Sequence, residues 1–205
     1  PAYFANGKRF CAFPLAATEH EKELLLEKIE EVAPDYVGFS VLWSHFQLAT
    51  ELSERIRNRF PGITIVWGGT HPTIRPDECL GPADIVCNSE GERCFTELLN
   101  NPGKTDIEGL WFKNGPHGPI RNDRAPWIED LDSLPFPIWG LREWLIEYDR
   151  IAPEDMNTMV ARGHFRMQTM RNCPYSCAYC YHSVVRKLFK GKGKYVRRRS
   201  PEHVI

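Results

Sequence analysis

Asp35-Tyr36-Val37-Gly38-Phe39-Ser40-Val41 is a short apolar run of the kind that fills a strand covered on both faces, and Ile63-Thr64-Ile65-Val66-Trp67 repeats it downstream. Between the two, Ser44-His45-Phe46-Gln47 reads as a capping box that opens a helix with Ala49, Leu52, Ile56 and Phe60 on one face. Working outward, Thr18-Glu19-His20-Glu21 is a second capping box, for a helix with Leu25, Ile29 and Val32 at helical spacing that Pro34 ends. Arg9–Leu15 reads as a strand before it. Gly68-Gly69 breaks the strand at Trp67, Pro76 starts a short helix, Asp84–Cys87 is a further strand, and Glu92–Leu99 is helical. Strands alternating with helices predict right-handed crossovers and a doubly wound parallel α/β sheet. In such sheets ligands sit beyond the carboxyl ends of the strands, so the loops after Val41, Trp67 and Cys87 are expected to share one edge and one site.

Past this unit, Gly109–Lys113 and Gly118–Asn122 flank Asn114-Gly115 and predict a hairpin. The Pro-rich stretch from Pro126 to Pro137 forbids regular structure and reads as a linker. A helix over Leu141–Tyr148 and a strand over His164–Thr169 are expected next, the strand leading into a cluster of cysteines. The boundaries follow: residues 1–122 as the first domain, 123–160 as a linker, and 161–205 as the start of a second domain.

Of the 205 residues, 42% are hydrophobic and 26% charged, which disfavours disorder. No apolar run approaches the roughly 18 residues that cross a bilayer. Seven cysteines at irregular spacing do not form a secreted disulfide framework, so a reducing cytoplasm is the expected compartment. Pro1 in place of an initiator Met reads as a start inside a longer protein. The formal charge of −1 hides an asymmetry: residues 161–205 hold 11 Lys and Arg against the single acid Glu202, leaving 15 basic against 26 acidic residues upstream.

Cys173-Pro174-Tyr175-Ser176-Cys177-Ala178-Tyr179-Cys180 places three thiols within eight residues, so that one loop can wrap one cofactor. Thiolates ligate iron–sulfur clusters, and three of them on a four-iron cluster leave one iron free for another ligand. Zinc with His182 as fourth ligand is the alternative, against which stands the lack of a second, separated ligand pair. Cys11, Cys79, Cys87 and Cys94 are scattered singly and read as small apolar residues. The basic stretch Arg186, Lys187, Lys190, Lys192, Lys194, Arg197, Arg198 and Arg199 reads as a solvated connection to a helix at Ser200-Pro201-Glu202 rather than as a nucleic-acid surface. It also suits an acidic reductase.

At Cys173, Cys177, Cys180 and the aromatic Tyr179 the chain resembles the radical S-adenosylmethionine (radical SAM) superfamily. The resemblance implies a 4Fe–4S cluster on the three cysteines, which then serve as metal ligands and catalytic residues, with S-adenosylmethionine on the open iron and Tyr179 beside its adenine. Upstream, Ser40-Val41-Leu42 followed by Gly68-Gly69 is similar to two of the three signatures of cobalamin-binding domains. The third, Asp-x-His-x-x-Gly, would fall before Pro1. His45 and His71 read as loop or cap residues, not axial ligands.

Pro34–Ser40, Trp67–Thr73, Ser89-Glu90-Gly91-Glu92 and Leu134-Pro135-Phe136-Pro137 extend the resemblance to the cobalamin-binding subgroup of radical SAM enzymes, with Ser89 standing where that subgroup more often has Gly. It implies a Rossmann or flavodoxin-like cobalamin-binding domain followed by the start of a truncated, TIM-like β/α barrel. It places Ser40, Leu42, Gly68, Gly69, Glu90 and Gly91 among the cofactor contacts. Trp43 and Trp67 stand at strand ends, where they wall the crevice or fill the core. The implied activity is reductive cleavage of S-adenosylmethionine, with cobalamin, for methylation of an unactivated centre or oxidative cyclisation of a small molecule. Flavodoxin or ferredoxin is the implied electron donor. The other readings are a radical SAM enzyme whose upstream domain has lost cobalamin and serves in docking, and a zinc-stabilised binding module.

Overall fold

The computed structural model describes residues 2–5, 8–11, 17–135, 143–147, 150–154 and 168–204. The expected strand over Arg9–Leu15 is seen as far as Cys11, in an antiparallel pair of β1 (Ala2–Ala5) and β2 (Lys8–Cys11). Residues 12–15 lie outside the described set.

Helix α1 (Glu19–Val32) starts where the capping box places it. Glu21 N donates to Thr18 Oγ1 at 3.0 Å, and Thr18 N donates back to Glu21 Oε2 at 2.9 Å, so two amides that the helix leaves unpaired are both satisfied. The helix stops at Ala33, in the left-handed region at φ 47°, with Pro34 next. Its buried face is Leu26 and Ile29 with Leu25 alongside; Val32, expected there, is 54% exposed at the helix end.

The strand β3 (Tyr36–Ser40) leads through a 3-10 turn, Trp43–His45, into α2 (Phe46–Arg59). The capping box read at Ser44 does not form. The N-cap is His45, with no side-chain hydrogen bond, because the 3-10 turn already closes His45 N on Leu42 O at 2.9 Å. Ala49, Leu52 and Ile56 are buried as the spacing requires. Then follow β4 (Thr64–Gly68), the short helices α3 (Thr70–Ile74) and α4 (Pro76–Cys79), β5 (Ile85–Cys87), α5 (Gly91–Asn100), β6 (Leu110–Phe112) and β7 (Ile120–Arg121).

These strands form one sheet in the order β3-β4-β5-β6-β7. The first three are parallel, and β6 and β7 are antiparallel to their neighbours, so the sheet is mixed rather than wholly parallel. The cause lies in the return from α5. That segment brings the chain back to the edge where β5 ended, Cys87 pairing with Leu110, so β6 can only run backwards along β5. The expected hairpin is this edge.

Side-chain alternation separates two cores. Ile65, Trp67 and Val86 face α1 and α2, with Leu26, Ile29, Ala49 and Ile56. Val66, Ile85, Cys87, Leu110 and Phe112 face α5, with Cys94 and Leu98. Helices on both faces of a parallel-rich sheet are the Rossmann or flavodoxin-like layering.

Residues 123–135 contain no helix or strand, as the prolines demand, yet Trp127, Ile128 and Leu131 are buried. The helix expected over Leu141–Tyr148 is instead β8 (Glu143–Glu147), paired antiparallel with β9 (Arg150–Glu154), Trp144 opposite Pro153. An aromatic and β-branched run with a pairing partner immediately downstream favours the strand over the weak helical spacing. Of the strand expected over His164–Thr169, residues 164–167 lie outside the described set and Gln168 and Thr169 are irregular. The chain then forms β10 (Met170–Arg171), α6 (Tyr181–Leu188), β11 (Arg197–Arg198) and, in place of the expected helix, a 3-10 turn over Pro201–His203 capped by Ser200. β10 and β11 pair antiparallel, and among the described residues no parallel strand of a barrel follows the cysteines.

Candidate functional site

The strands β3, β4 and β5 end together at Ser40, Gly68 and Cys87. Just beyond, Val41 N donates to Gly68 O at 2.7 Å and His71 N donates to Val41 O at 3.0 Å, tying the two loops into one ledge. Gly69 is at φ +98°, and a Cβ there would stand 2.9 Å from Val41 N and 3.1 Å from Ser40 Oγ. Only glycine allows this crossing. Gly68 differs: a Cβ would make an ordinary 3.7 Å contact with Cys87 Cβ, so packing does not demand glycine, and its lack of a side chain bares the edge.

Strand alternation sets Gly38, Ser40 and Gly68 on one side of the sheet. Gly38 and Ser40 are exposed, and the loop beyond them presents Leu42 at 48% and Trp43 at 81% exposure. The result is a ledge poor in side chains, edged by a hydroxyl and by apolar groups, which suits a large flat ligand with an apolar face. Trp67 belongs to the core instead: it is fully buried, its Nε1 donates to Ser53 Oγ at 3.0 Å, and Phe39 and Phe46 meet it edge-on. His45 is exposed on the 3-10 turn. His71 is buried in α3 against Phe46, with Nε2 3.4 Å from Glu78 Oε2 but without hydrogen-bond geometry.

After β5 the chain runs Asn88-Ser89-Glu90 into α5. Asn88 N donates to Gly109 O at 2.9 Å, and Ser89 Oγ accepts from Ala125 N at 3.0 Å. The hydroxyl at this position therefore holds the segment 123–135 in place, and Gly109, at φ +86°, makes room for it, since a Cβ on Gly109 would lie 2.9 Å from that of Ser89. Gly91 begins α5, and a Cβ there would sit 3.9 Å from Cys87 Sγ. Sequence reading missed that Cys87 and Cys94 meet, their sulfurs 3.4 Å apart beneath this loop. The contact between the two sulfurs shifts them apart: it pulls the Cys87 thiol below its ordinary range against the effect of burial, and together with burial it pushes that of Cys94 up.

Glu90 carries the densest polar contacts. Oε1 accepts from Arg171 Nη1 at 2.9 Å, and Oε2 accepts from Arg197 Nη1 at 2.6 Å and from Ile128 N at 2.9 Å. Burial pushes its carboxyl up, but the hydrogen bonds from Arg197, the Ile128 amide and Arg171 outweigh burial and hold it below the usual carboxylate range. Glu90 thus contacts protein groups on three segments.

Arg171 and Arg197 are register partners in the β10–β11 pair, and the cysteine loop springs from between these strands. Asn172 turns the chain in the left-handed region at φ 63°, its Nδ2 donating to Tyr195 O at 2.8 Å. Arg186, on α6, donates to Cys173 O at 2.8 Å and Pro174 O at 2.9 Å. Cys180 is the N-cap of α6; its N donates to Cys177 O at 3.1 Å, and Ser183 Oγ donates to its carbonyl at 2.8 Å. Trp127 stacks on Phe189 at 3.9 Å and lies under the Arg197 guanidinium at 4.6 Å, while its backbone amide donates to Lys192 O at 2.8 Å.

Within this pinned loop Cys173 and Cys180 are half-buried, Cys177 is exposed, and Tyr175 and Tyr179 are 72% and 94% exposed. Among the described residues no three His, Cys, Asp or Glu side chains are gathered as a metal site. The donor set nevertheless fits an iron–sulfur cluster: three accessible thiols share one loop, and Cys180 caps a helix N-terminus, where negative charge is favoured. His182 Nδ1 lies 3.0 Å from Tyr195 Oη, and that hydroxyl is also 3.0 Å from His182 O, so the His182 ring is held against Tyr195.

Residues 14–99 match the B12 binding domain family. An uncharacterized methyltransferase of Pyrococcus horikoshii is 29% identical over 164 residues, 76% of this chain and 33% of the relative. The anaerobic magnesium-protoporphyrin IX monomethyl ester cyclase of Cereibacter sphaeroides is 29% identical over 171 residues, 78% of this chain and 26% of the relative. The cobalamin-dependent radical SAM methyltransferase TokK of Streptomyces tokunonensis is 25% identical over 173 residues, 78% of this chain and 24% of the relative. The chain spans about a quarter to a third of the length of these relatives. The chain is thus similar over residues 14–99 to B12 binding domains, and over about three quarters of its length to methyltransferases, one of them cobalamin-dependent and radical SAM, and to a cyclase.

Proposed function

We propose, from the match of residues 14–99 to the B12 binding domain family and the likeness of the chain to a cobalamin-dependent radical SAM methyltransferase, that the protein uses cobalamin on the sheet edge together with S-adenosylmethionine at a 4Fe–4S cluster. The reaction is methyl transfer to an unactivated centre or an oxidative cyclisation of a small molecule. One observation carries the reading: the edge that carries the open ledge also holds, through Glu90, the base of a loop bearing three thiols. When bound, the cluster with S-adenosylmethionine would supply a 5′-deoxyadenosyl radical, and cobalamin a transferable methyl group.

This chain's own residues bind and orient. Cys173, Cys177 and Cys180 would ligate three irons, and Arg186, by fixing the carbonyls of Cys173 and Pro174, keeps the loop's first half in place. Tyr179, with its ring free, would lie along the adenine. Leu42 and Trp43 would cover the apolar face of the corrin and exclude water from it, beside the hydroxyl of Ser40. Lys187, Lys190, Lys194 and Arg198 are exposed around α6 and its exit, a basic rim suited to an acidic electron donor such as flavodoxin or ferredoxin. Among the described residues no helix is long and apolar enough to cross a membrane.

A second reading, an upstream domain that no longer holds cobalamin, draws on Gly69, whose glycine is already required by the Ser40–Val41 crossing. The full-length protein, purified without oxygen and reduced with S-adenosylmethionine, is expected to show corrinoid absorbance and to release 5′-deoxyadenosine. Release without corrinoid selects the second reading. No release contradicts both.

A further inference from the structure

We infer that Glu90 is a positioning residue that sets the cluster loop against the B12-binding sheet, an inference that rests on the cluster reading above. Its carboxylate reaches both strands at the root of the loop, one oxygen to Arg171 on β10 and the other to Arg197 on β11. Arg171 stands two positions before Cys173, and Asn172 between them is fixed by its own bond to Tyr195. Glu90 itself is placed by the end of β5 and the start of α5, the same edge that carries the ledge. Glu90 is therefore the side chain through which this edge reaches both strands at the loop's root.

Burial makes this contact matter more than the surface pairs. The Glu90 side chain is 12% exposed and that of Arg197 is 1%, whereas the outer pair, Arg171 with Glu92, ends on a carboxylate 38% exposed. Arg197 is held on its remaining sides by the Ile128 carbonyl at 2.9 Å and the face of Trp127. Glu90 is the one carboxylate that Arg197 reaches among the described residues. Removing it leaves a buried cation without a counter-charge, and both strands lose their common anchor.

The test compares full-length protein carrying Glu90→Gln with wild type and with Glu92→Gln, which loses only the outer pair. Two readouts are taken: the rate at which a protease cleaves within residues 168–204, and the electron paramagnetic resonance spectrum of the reduced, reconstituted cluster before and after addition of S-adenosylmethionine, compared at equal iron content. In Glu90→Gln, cleavage is expected to rise about tenfold or more, the scale of one lost charge-assisted hydrogen bond. The spectral change on adding S-adenosylmethionine is expected to shrink or vanish, while Glu92→Gln stays near wild type in both. Wild-type cleavage and wild-type spectra in Glu90→Gln overturn the inference, as does a loss of equal size in Glu92→Gln. Should Glu90→Gln not fold, Arg171→Gln decides in its place, with raised cleavage supporting the role and unchanged cleavage refuting it. If wild-type protein takes up no iron or sulfide, the cluster reading fails by itself, and the cleavage comparison still decides whether Glu90 holds the loop.

Discussion

At the scale of single residues, the two glycines after β4 do different work, and their replacement separates it. Gly69→Ala forces a side chain into the left-handed region and against Val41 N at 2.9 Å, a cost of about 1–3 kcal/mol. Gly68→Ala meets only a 3.7 Å contact and is expected to change stability by about 0.5 kcal/mol or less, while weakening corrinoid retention. Denaturant unfolding of both variants, with corrinoid absorbance read on the same samples, checks the pair. Equal stability losses would refute the distinction. Glu90 makes a pH prediction. Its folded carboxyl lies below the unfolded value near about 4.3, so its contribution is fully present above that value and is lost as pH falls through the lower folded one. Acid titration followed by intrinsic fluorescence should show a transition that Glu90→Gln, already about 3 kcal/mol less stable, lacks. The same transition in both proteins would show that another group governs it.

At the scale of elements, the segment 123–135 is a strap rather than a spacer. Trp127→Ala removes a ring 7% exposed that stacks on Phe189 and underlies Arg197, and should cost about 3–5 kcal/mol of docking. Faster proteolysis of residues 168–204 with little change in the melting of the sheet is the expected result. Unchanged proteolysis would show that the cysteine segment is held elsewhere. Local signals made part of this level legible. The reciprocal bonds of Thr18 and Glu21 are a code contained in four residues, and α1 begins where they put it. The reversal of β6 was not legible, because it depends on where α5 returns the chain, a property of the whole connection. The strand at Glu143–Glu147 was missed since helical spacing is judged within one segment, whereas the strand is decided by pairing with Arg150–Glu154. At the site, Cys173, Cys177 and Cys180 announce themselves by spacing. The grip of Glu90 on Arg171 and Arg197, separated from it by 81 and 107 positions, leaves no local trace.

At the scale of the molecule, an acidic sheet domain and a basic cysteine segment are joined through a buried carboxylate, and the charge asymmetry read along the chain is partly this joint. Arg171 and Arg197 face Glu90, while Lys187, Lys190, Lys194 and Arg198 stay exposed for an acidic partner. Reduction of the cluster by an acidic donor should therefore slow as salt rises, and slow further with Lys187→Glu and Lys190→Glu together. Rates independent of both would remove the basic rim from the account. The account as a whole depends on three thiols holding iron. Iron and sulfide analysis of the anaerobically reconstituted full-length protein, with and without Cys173→Ala, Cys177→Ala and Cys180→Ala combined, tests this most directly. About four irons and four sulfides per chain in wild type and almost none in the variant are predicted; equal content in the two proteins would contradict it.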